Sequence, residues 1–182
     1  NNVQGASDSG ALPTDLPGYQ KIERPGVREK FEAAWGSELP KRRGITKITA
    51  MNQMLRGRVR GVYIMGENTV VSDPNTNHAQ AALEATDFIV VQDIFMTDTA
   101  KLADVVLPAA SFAESDGTFA NSERRVQRVR PAIKPVGESR TDVDILLDVM
   151  KRFGVSQNLN TPSDVWDEMR RLAPILTGIS YE

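Results

Sequence analysis

The chain has 182 residues, which corresponds to one ordinary domain or slightly more. Hydrophobic residues make up 40% of the sequence and charged residues 25%, so the chain does not belong to the disordered class. The 22 Lys and Arg residues against 24 Asp and Glu residues give a net charge of −2, so bulk electrostatics recruit neither nucleic acid nor a membrane surface. No apolar run approaches the roughly 18 residues of a membrane span.

Cysteine is absent, and His78 is the only histidine. The chain therefore lacks the side chains for a disulfide, an iron–sulfur cluster or a thiolate metal site. We predict a structural role for His78, because it lies in the Asn-rich start of a predicted helix. The sequence begins at Asn1 without an initiator methionine, and we expect it to be a piece of a longer protein.

The first 60 residues predict an arm followed by two helices. Residues 1–24 are rich in Gly, Pro, Ser and Asp and predict an extended arm. Arg28–Trp35 has apolar residues at helical spacing, and the Gly36 that follows is typical of a helix end. Ile48–Leu55 places its isoleucine, methionines and leucine on one face and predicts a second, amphipathic helix.

The middle of the chain alternates predicted strands and helices. Val62–Met65, Phe88–Val91 and Val105–Leu107 are short apolar runs typical of buried strands. Asn75–Ala85 and Thr97–Ala103 predict the helices between them. This order predicts parallel crossover units, so the fold class is α/β. We expect a three-layer, Rossmann-like domain whose mainly parallel sheet is covered on both faces.

Beyond the sheet, the sequence predicts an excursion and two helices. Phe112–Arg140 lacks helical periodicity and contains turn-forming Gly and Pro, so it predicts a hairpin-like excursion. Its basic residues lack interleaved aromatics, which favours a protein or domain contact over nucleic-acid binding. Thr141–Arg152 predicts a helix, and Val165–Leu172 predicts a C-terminal helix capped by Thr161 or Ser163.

Polar residues follow two of the predicted strands, at the edge where parallel sheets bind ligands. A glycine there lets a ligand approach the backbone, and polar side chains can bind phosphate or sugar oxygens. Asp142 can accept hydrogen bonds from the N–H groups of a purine, but it is equally explained as a charge at a helix start. The Gly-x-Gly-x-x-Gly fingerprint of dinucleotide sites is absent, so nucleotide binding stays one of two interpretations. The candidate site residues are Gly66, Glu67, Asn68, Ser72, Gln92, Asp93 and Asp142.

Several strings of the sequence resemble the molybdopterin-guanine-dinucleotide oxidoreductases. They are YIMGEN at Tyr63–Asn68, VVQDIFMT at Val90–Thr97 and TAKLADVVLP at Thr99–Pro108, the last of which contains a recognised signature of that superfamily. Within it, the chain resembles the catalytic (alpha) subunit of formate dehydrogenases. That closer resemblance is carried by NNVQG at Asn1–Gly5, ESDGTFANSERRVQ at Glu114–Gln127 and the tail Trp166–Glu182.

The resemblance implies oxidation of formate to carbon dioxide at a molybdenum or tungsten ion held by two molybdopterin guanine dinucleotides. Electrons leave such enzymes through a 4Fe–4S cluster. In that family the metal ligand, its neighbouring histidine, an active-site arginine and the cluster cysteines precede the region that this chain matches. The resemblance thus implies no catalytic or metal-ligating residue here, and we expect the isolated chain to be inactive. It also implies the remaining domains of the same subunit and electron-transfer subunits as partners, and a cytoplasmic location, although the family has exported members.

The resemblance also assigns roles by motif position. It implies that Asn68 and Ser72 hold one guanine dinucleotide, that Gln92 and Asp93 contact it from the second strand, and that Asp142 reads guanine. A carboxylate suits that role, because it accepts from guanine N1–H and N2–H, whereas adenine offers no such pair.

The domain organisation follows from the same resemblance. Residues 25–111 and 141–162 would form the Rossmann-like cofactor-binding domain, while 112–140 and 163–182 would pack on an iron–sulfur domain. Two alternatives stay open. One is a scaffold domain without cofactor, as in a large subunit of respiratory NADH dehydrogenase, and the other is a sibling reductase acting on nitrate, arsenate or sulfoxides.

Overall fold

The computed structural model describes residues 2–155 and 158–182 of the chain. The chain divides into two compact units. The sheet unit consists of Thr46–Ser115 and Pro131–Phe153, and the hairpin unit consists of Asn1–Ile45, Asp116–Arg130 and Gly154–Glu182. None of the helices in the described parts of the chain has the length and apolar character required to cross a bilayer.

The elements follow the predicted order closely. The helices are α1 (Val3–Asp8), α2 (Pro25–Trp35), α3 (Lys47–Met54), α4 (Thr69–Ser72), α5 (Thr76–Glu84), α6 (Asp142–Arg152) and α7 (Pro162–Leu172). The strands are β1 (Asp15–Leu16), β2 (Gln20–Lys21), β3 (Gly61–Met65), β4 (Phe88–Asp93), β5 (Val105–Pro108), β6 (Gly117–Ala120) and β7 (Val126–Val129). Short 3-10 helices lie at Ala100–Leu102, Phe112–Glu114 and Pro174–Leu176. The α/β class with a parallel sheet is therefore confirmed.

The sheet unit contains a parallel three-stranded sheet in the order β3-β4-β5. Strand crossovers are right-handed, so neighbouring strands in sequential order place both connections on the same face. The core on that face shows this arrangement. It is formed by Val70, Leu83, Ile89, Val91 and Ala100, which come from both connections and from β4.

The second face of the sheet is partly open. Tyr63, Met65, Phe88 and Val105 alternate with the core residues along their strands and are between 38 and 50% exposed. In the described residues, the expected coverage is thus met on one face and only in part on the other, where Gln92 is fully buried beside Asp142. The reason is the sequential strand order, which sends both crossovers to the opposite side.

Helix α3 packs on α5 through methionines. Met51 and Met54 are buried with alanines of α5, as expected of core-filling residues. The predicted apolar face was too wide, however, because Ile48 and Leu55 are exposed. The hydroxyl of Thr46 caps the helix by accepting from the backbone N–H of Thr49.

The hairpin unit confirms the middle of the predicted excursion as an antiparallel hairpin, in which Gly117 pairs with Val129 and Ala120 with Val126. Residues 112–115 and 131–140 of the predicted excursion belong to the sheet unit instead. The prediction of an extended arm over residues 1–24 is wrong, because α1 forms there. The Asn2 amide just before α1 donates to the Ala120 carbonyl at 2.7 Å and accepts from the Ala120 N–H at 3.0 Å. This side chain pairs with β6 as a backbone would, and so anchors the start of the chain.

Of the two predicted caps of the last helix, Thr161 is the one that the structure shows. Thr161 accepts from the Asp164 N–H, and Asp164 accepts from the Thr161 N–H, which together form a capping box. Behind the helix, Trp166, Ala173 and Leu176 form a buried cluster, with Tyr181 packed against it. The indole N–H of Trp166 donates to the Ile179 carbonyl at 3.0 Å.

Candidate functional site

Two loops meet at the carboxyl edge of the sheet. β3 ends at Met65, and the next residue, Gly66, donates its N–H to the Gln92 carbonyl at 2.9 Å. Gly66 has a φ of 62°, and a Cβ added there would meet nothing within 4 Å. Glycine is therefore needed for the left-handed turn rather than for space. The turn brings the candidates of the first loop beside those that end β4.

Asn68 joins these two loops. Its Oδ1 accepts from the Thr99 hydroxyl at 2.9 Å and from the Thr99 N–H at 3.2 Å. The same hydroxyl accepts from the Val70 N–H at 3.0 Å, and Thr99 is fully buried. Thr99 is not among the predicted site residues, although it begins a string that resembles the family. Since Oδ1 is engaged, a ligand contact from Asn68 would come from its Nδ2 group.

Glu67 and Ser72 form a second cluster, with Lys47. The Ser72 hydroxyl donates to the Glu67 carboxylate, and Lys47 Nζ lies 3.2 Å from Glu67 Oε1 and 3.8 Å from Asp73 Oδ2. The hydrogen bond from Ser72 and the Lys47 ammonium lower the pKa of the Glu67 carboxyl. Lys47 is not among the predicted site residues, because a whole helix separates it from β3 in the sequence. Its charge offsets a carboxylate that would otherwise repel phosphate oxygens.

Gln92 joins β3 to α6. Its side chain is fully buried, Nε2 donates to Asp142 Oδ1 at 2.5 Å, and Oε1 accepts from the Tyr63 hydroxyl. Burial and then the negative charge of Asp142 raise the pKa of Tyr63. Gln92 and Asp142, two candidates 50 residues apart, are thus in direct contact, while Tyr63 was missed as a site residue.

The position of Asp142 follows from the chain segment before it. Arg140 lies beside the end of β5, where its N–H donates to the Pro108 carbonyl at 3.1 Å and its carbonyl accepts from the Ala110 N–H at 2.8 Å. Thr141 then caps α6 by accepting from the Asp144 N–H. Asp142 is therefore the first residue of a helix that begins at the carboxyl edge of the sheet.

Asp93 is engaged within its own loop. Its carboxylate accepts from the Phe95 N–H at 3.1 Å, and its carbonyl accepts from the Ala109 N–H at 3.0 Å. The apolar side chains that follow, Ile94 to Met96, are exposed. In the described parts of the chain, no group of three or more acidic or histidine side chains is placed to hold a metal ion. The described edge thus offers hydrogen-bonding groups for a polar ligand.

Comparison with known proteins shows the family to which this chain belongs. The chain is 48% identical over 184 residues to the F420-dependent formate dehydrogenase subunit alpha of Methanocaldococcus jannaschii, with 100% of the chain and 27% of that protein covered. It is 46% identical to a putative formate dehydrogenase of Staphylococcus haemolyticus and 44% identical to the probable oxidoreductase YjgC of Bacillus subtilis. Both alignments cover 100% of the chain and 18% of the relative.

A solved structure supports the fold. Acetylene hydratase from Pelobacter acetylenicus matches with a TM-score of 0.58 and 21% identity, over 88% of this chain and 23% of that one. The chain spans only 18 to 27% of the length of the relatives named above. The family model described as molybdopterin oxidoreductase matches residues 1–152. The chain therefore belongs to the molybdopterin oxidoreductase family.

Proposed function

We propose that this chain is the part of a formate dehydrogenase catalytic subunit that binds the guanine dinucleotide portion of the molybdopterin cofactor. Family membership implies the molybdopterin group, and two of the relatives reported above carry formate dehydrogenase names. When bound, the cofactor's molybdenum or tungsten centre supplies the oxidation of formate to carbon dioxide. The metal ligand and the 4Fe–4S cluster that accepts the electrons would come from the rest of the subunit.

The observation that carries the proposal is the Asp142 carboxylate, held at the carboxyl edge by buried Gln92. Each carboxylate oxygen can accept about two hydrogen bonds, so one bond from Gln92 leaves sites for guanine N1–H and N2–H. Adenine presents a bare N1 acceptor at the corresponding position, which a carboxylate repels. The acceptor oxygens of Asp142 therefore fit the N–H pair of guanine.

The remaining candidates suit the phosphates and ribose. Gly66 leaves open space beside its backbone, which permits close approach of a phosphate. Asn68 Nδ2 can donate to phosphate oxygens, and the Ser72 hydroxyl can do so once it turns away from the Glu67 carboxylate, to which it donates in this structure. The carboxylate of Asp93 can accept from ribose hydroxyls once the loop of residues 93–96 adjusts. Glu67 forms an ion pair with Lys47, which offsets the charge of its carboxylate.

The test is the Asp142→Asn variant in the full-length subunit. The change replaces one acceptor with a donor and removes the charge, and hydrogen bonds to charged groups contribute roughly 1.5–3 kcal/mol each. We expect cofactor affinity to fall about 10- to 100-fold or more. Molybdenum or tungsten content and released guanine nucleotide per subunit measure the loss.

The matched control is Asp144→Asn, which changes an acidic residue in the same first turn that hydrogen-bonds Thr141. We expect this control to lower thermal stability slightly and to keep full cofactor content. If Asp142→Asn kept full guanine and metal content and only its melting temperature fell, Asp142 would serve only as a negative charge at the start of α6. A wild-type subunit without guanine nucleotide would instead support the cofactor-free scaffold.

Formate-dependent reduction of a dye by the full-length subunit tests the substrate. Turnover with nitrate or arsenate and none with formate would favour a sibling reductase.

A further inference from the structure

The hydrogen-bond chain through Gln92 has one possible direction. An ionised carboxylate only accepts, so the NH₂ group of Gln92 must face Asp142. The Oε1 of the same amide then faces Tyr63, whose hydroxyl must donate to it. Tyr63 therefore fixes the orientation of an amide that could otherwise rotate by half a turn.

The strand register explains why these two side chains meet. Tyr63 pairs with Val90 across the parallel ladder, and Gln92 lies two residues further along the same strand. Because side chains alternate between faces with a period of two, Tyr63 and Gln92 lie on the same face as diagonal neighbours. An aromatic side chain spans that diagonal distance, and its hydroxyl reaches the amide.

The two side chains differ in burial. Gln92 is 0% exposed, so an unpaired Oε1 would be a buried acceptor without a partner. Tyr63 is 41% exposed, so its ring is not a core element, and the hydroxyl is the part that contacts the site. Loss of the hydroxyl would therefore disturb Gln92 more than the packing of the sheet.

We propose that Tyr63 is a positioning residue for guanine recognition, which acts through Gln92 to hold the Asp142 carboxylate ready for two hydrogen bonds from the base. This inference rests on the proposed function of the site. With Tyr63 in place, the carboxylate is ordered before the nucleotide arrives, and the cost of ordering it does not reduce affinity. The contacts proposed between the first loop and the phosphates do not involve Tyr63, so its effect should be confined to the base.

The test compares three nucleotides in the protein purified without bound nucleotide. Guanosine diphosphate offers N1–H and N2–H, inosine diphosphate offers N1–H alone, and adenosine diphosphate offers neither. Chemical-shift titration gives a dissociation constant for each. One hydrogen bond to a charged group corresponds to about a 10-fold or larger preference for guanosine over inosine diphosphate in the wild type.

The Tyr63→Phe variant is expected to lower that preference about threefold or more, while the dissociation constant for adenosine diphosphate stays unchanged. If Tyr63 had only a structural role, Tyr63→Phe would weaken the binding of all three nucleotides to a similar extent. Tyr181→Phe is the matched control, because it removes a tyrosine hydroxyl from the hairpin unit, and its preference should equal that of the wild type.

A double variant isolates the path through the carboxylate. In an Asp142→Asn background, Tyr63→Phe should have no further effect on the preference, since coupled residues are non-additive. An unchanged preference in Tyr63→Phe, with wild-type selectivity for guanine present, would overturn this inference and leave the proposed function standing. A wild type that does not distinguish guanosine from adenosine diphosphate would overturn both.

Discussion

The Thr99→Val variant tests how the two loops of the site are joined. Thr99 is fully buried, and its hydroxyl both donates to Asn68 Oδ1 and accepts from the Val70 N–H. Valine has nearly the same shape, so the change removes the hydroxyl without leaving a cavity. Asn68 keeps one bond from the Thr99 N–H, but the Val70 N–H loses its partner.

The expected cost follows from these contacts. The bond to Asn68 contributes about 0.5–1.5 kcal/mol, and the unpaired Val70 N–H costs about 1–3 kcal/mol. The added methyl group returns about 0.8 kcal/mol of apolar burial. We therefore expect the free energy of unfolding to fall by about 2 kcal/mol.

The assay is urea unfolding followed by circular dichroism, together with hydrogen exchange of the β4 amides. Thr86→Val is the matched control, because Thr86 donates to the Ala82 carbonyl at the partly exposed end of α5, where water can replace it. Its expected cost is below about 1 kcal/mol. If the free energy of unfolding of Thr99→Val differed from that of the wild type by less than about 0.5 kcal/mol, the buried hydroxyl would not join the two loops as described.

Two further predictions concern the backbone and the acid stability of the sheet unit. Gly66→Ala should lower the free energy of unfolding by about 1–2 kcal/mol through strain at positive φ; an unchanged urea midpoint would show that the turn relaxes. Hydrogen bonds from Ser111 and from the Val136 N–H lower the pKa of Glu114. The stabilising contribution of its carboxylate is therefore complete above about pH 4.5, and it is lost as the pH falls through the lowered pKa of the folded state. Glu114→Gln should therefore lower the urea midpoint at pH 7, and its difference from the wild type should shrink as the pH falls below about 4.5. A difference that does not change with pH would contradict the role of the charge.

Local elements were largely predictable because their signals lie within a few residues. The run Phe88–Val91 predicted β4, and the structure extends it only to Asp93. The segment Thr141–Arg152 predicted α6, with Thr141 as its cap. The prediction of an extended arm over residues 1–24 was wrong. Asn2, just before α1, is held by hydrogen bonds to Ala120 of β6, and no local sequence pattern encodes such a distant contact.

The candidate site was predictable only as a set of strand ends. The rule that ligands bind beyond the carboxyl ends of parallel strands selected Gly66 and Gln92 correctly as neighbours. It could not select Tyr63, Thr99 or Lys47, because their roles depend on partners 20 to 31 residues away in the sequence.

The hydrophobic pattern alone establishes that three short strands alternate with helices, since a period of two or 3.6 residues is a local property. It also establishes that one end of those strands carries the polar residues. The order of the strands is decided only in three dimensions, by which edges pair. The sequential order β3-β4-β5 sends both crossovers to one face and leaves Tyr63 on the partly open face, where its hydroxyl reaches Gln92 beside Asp142.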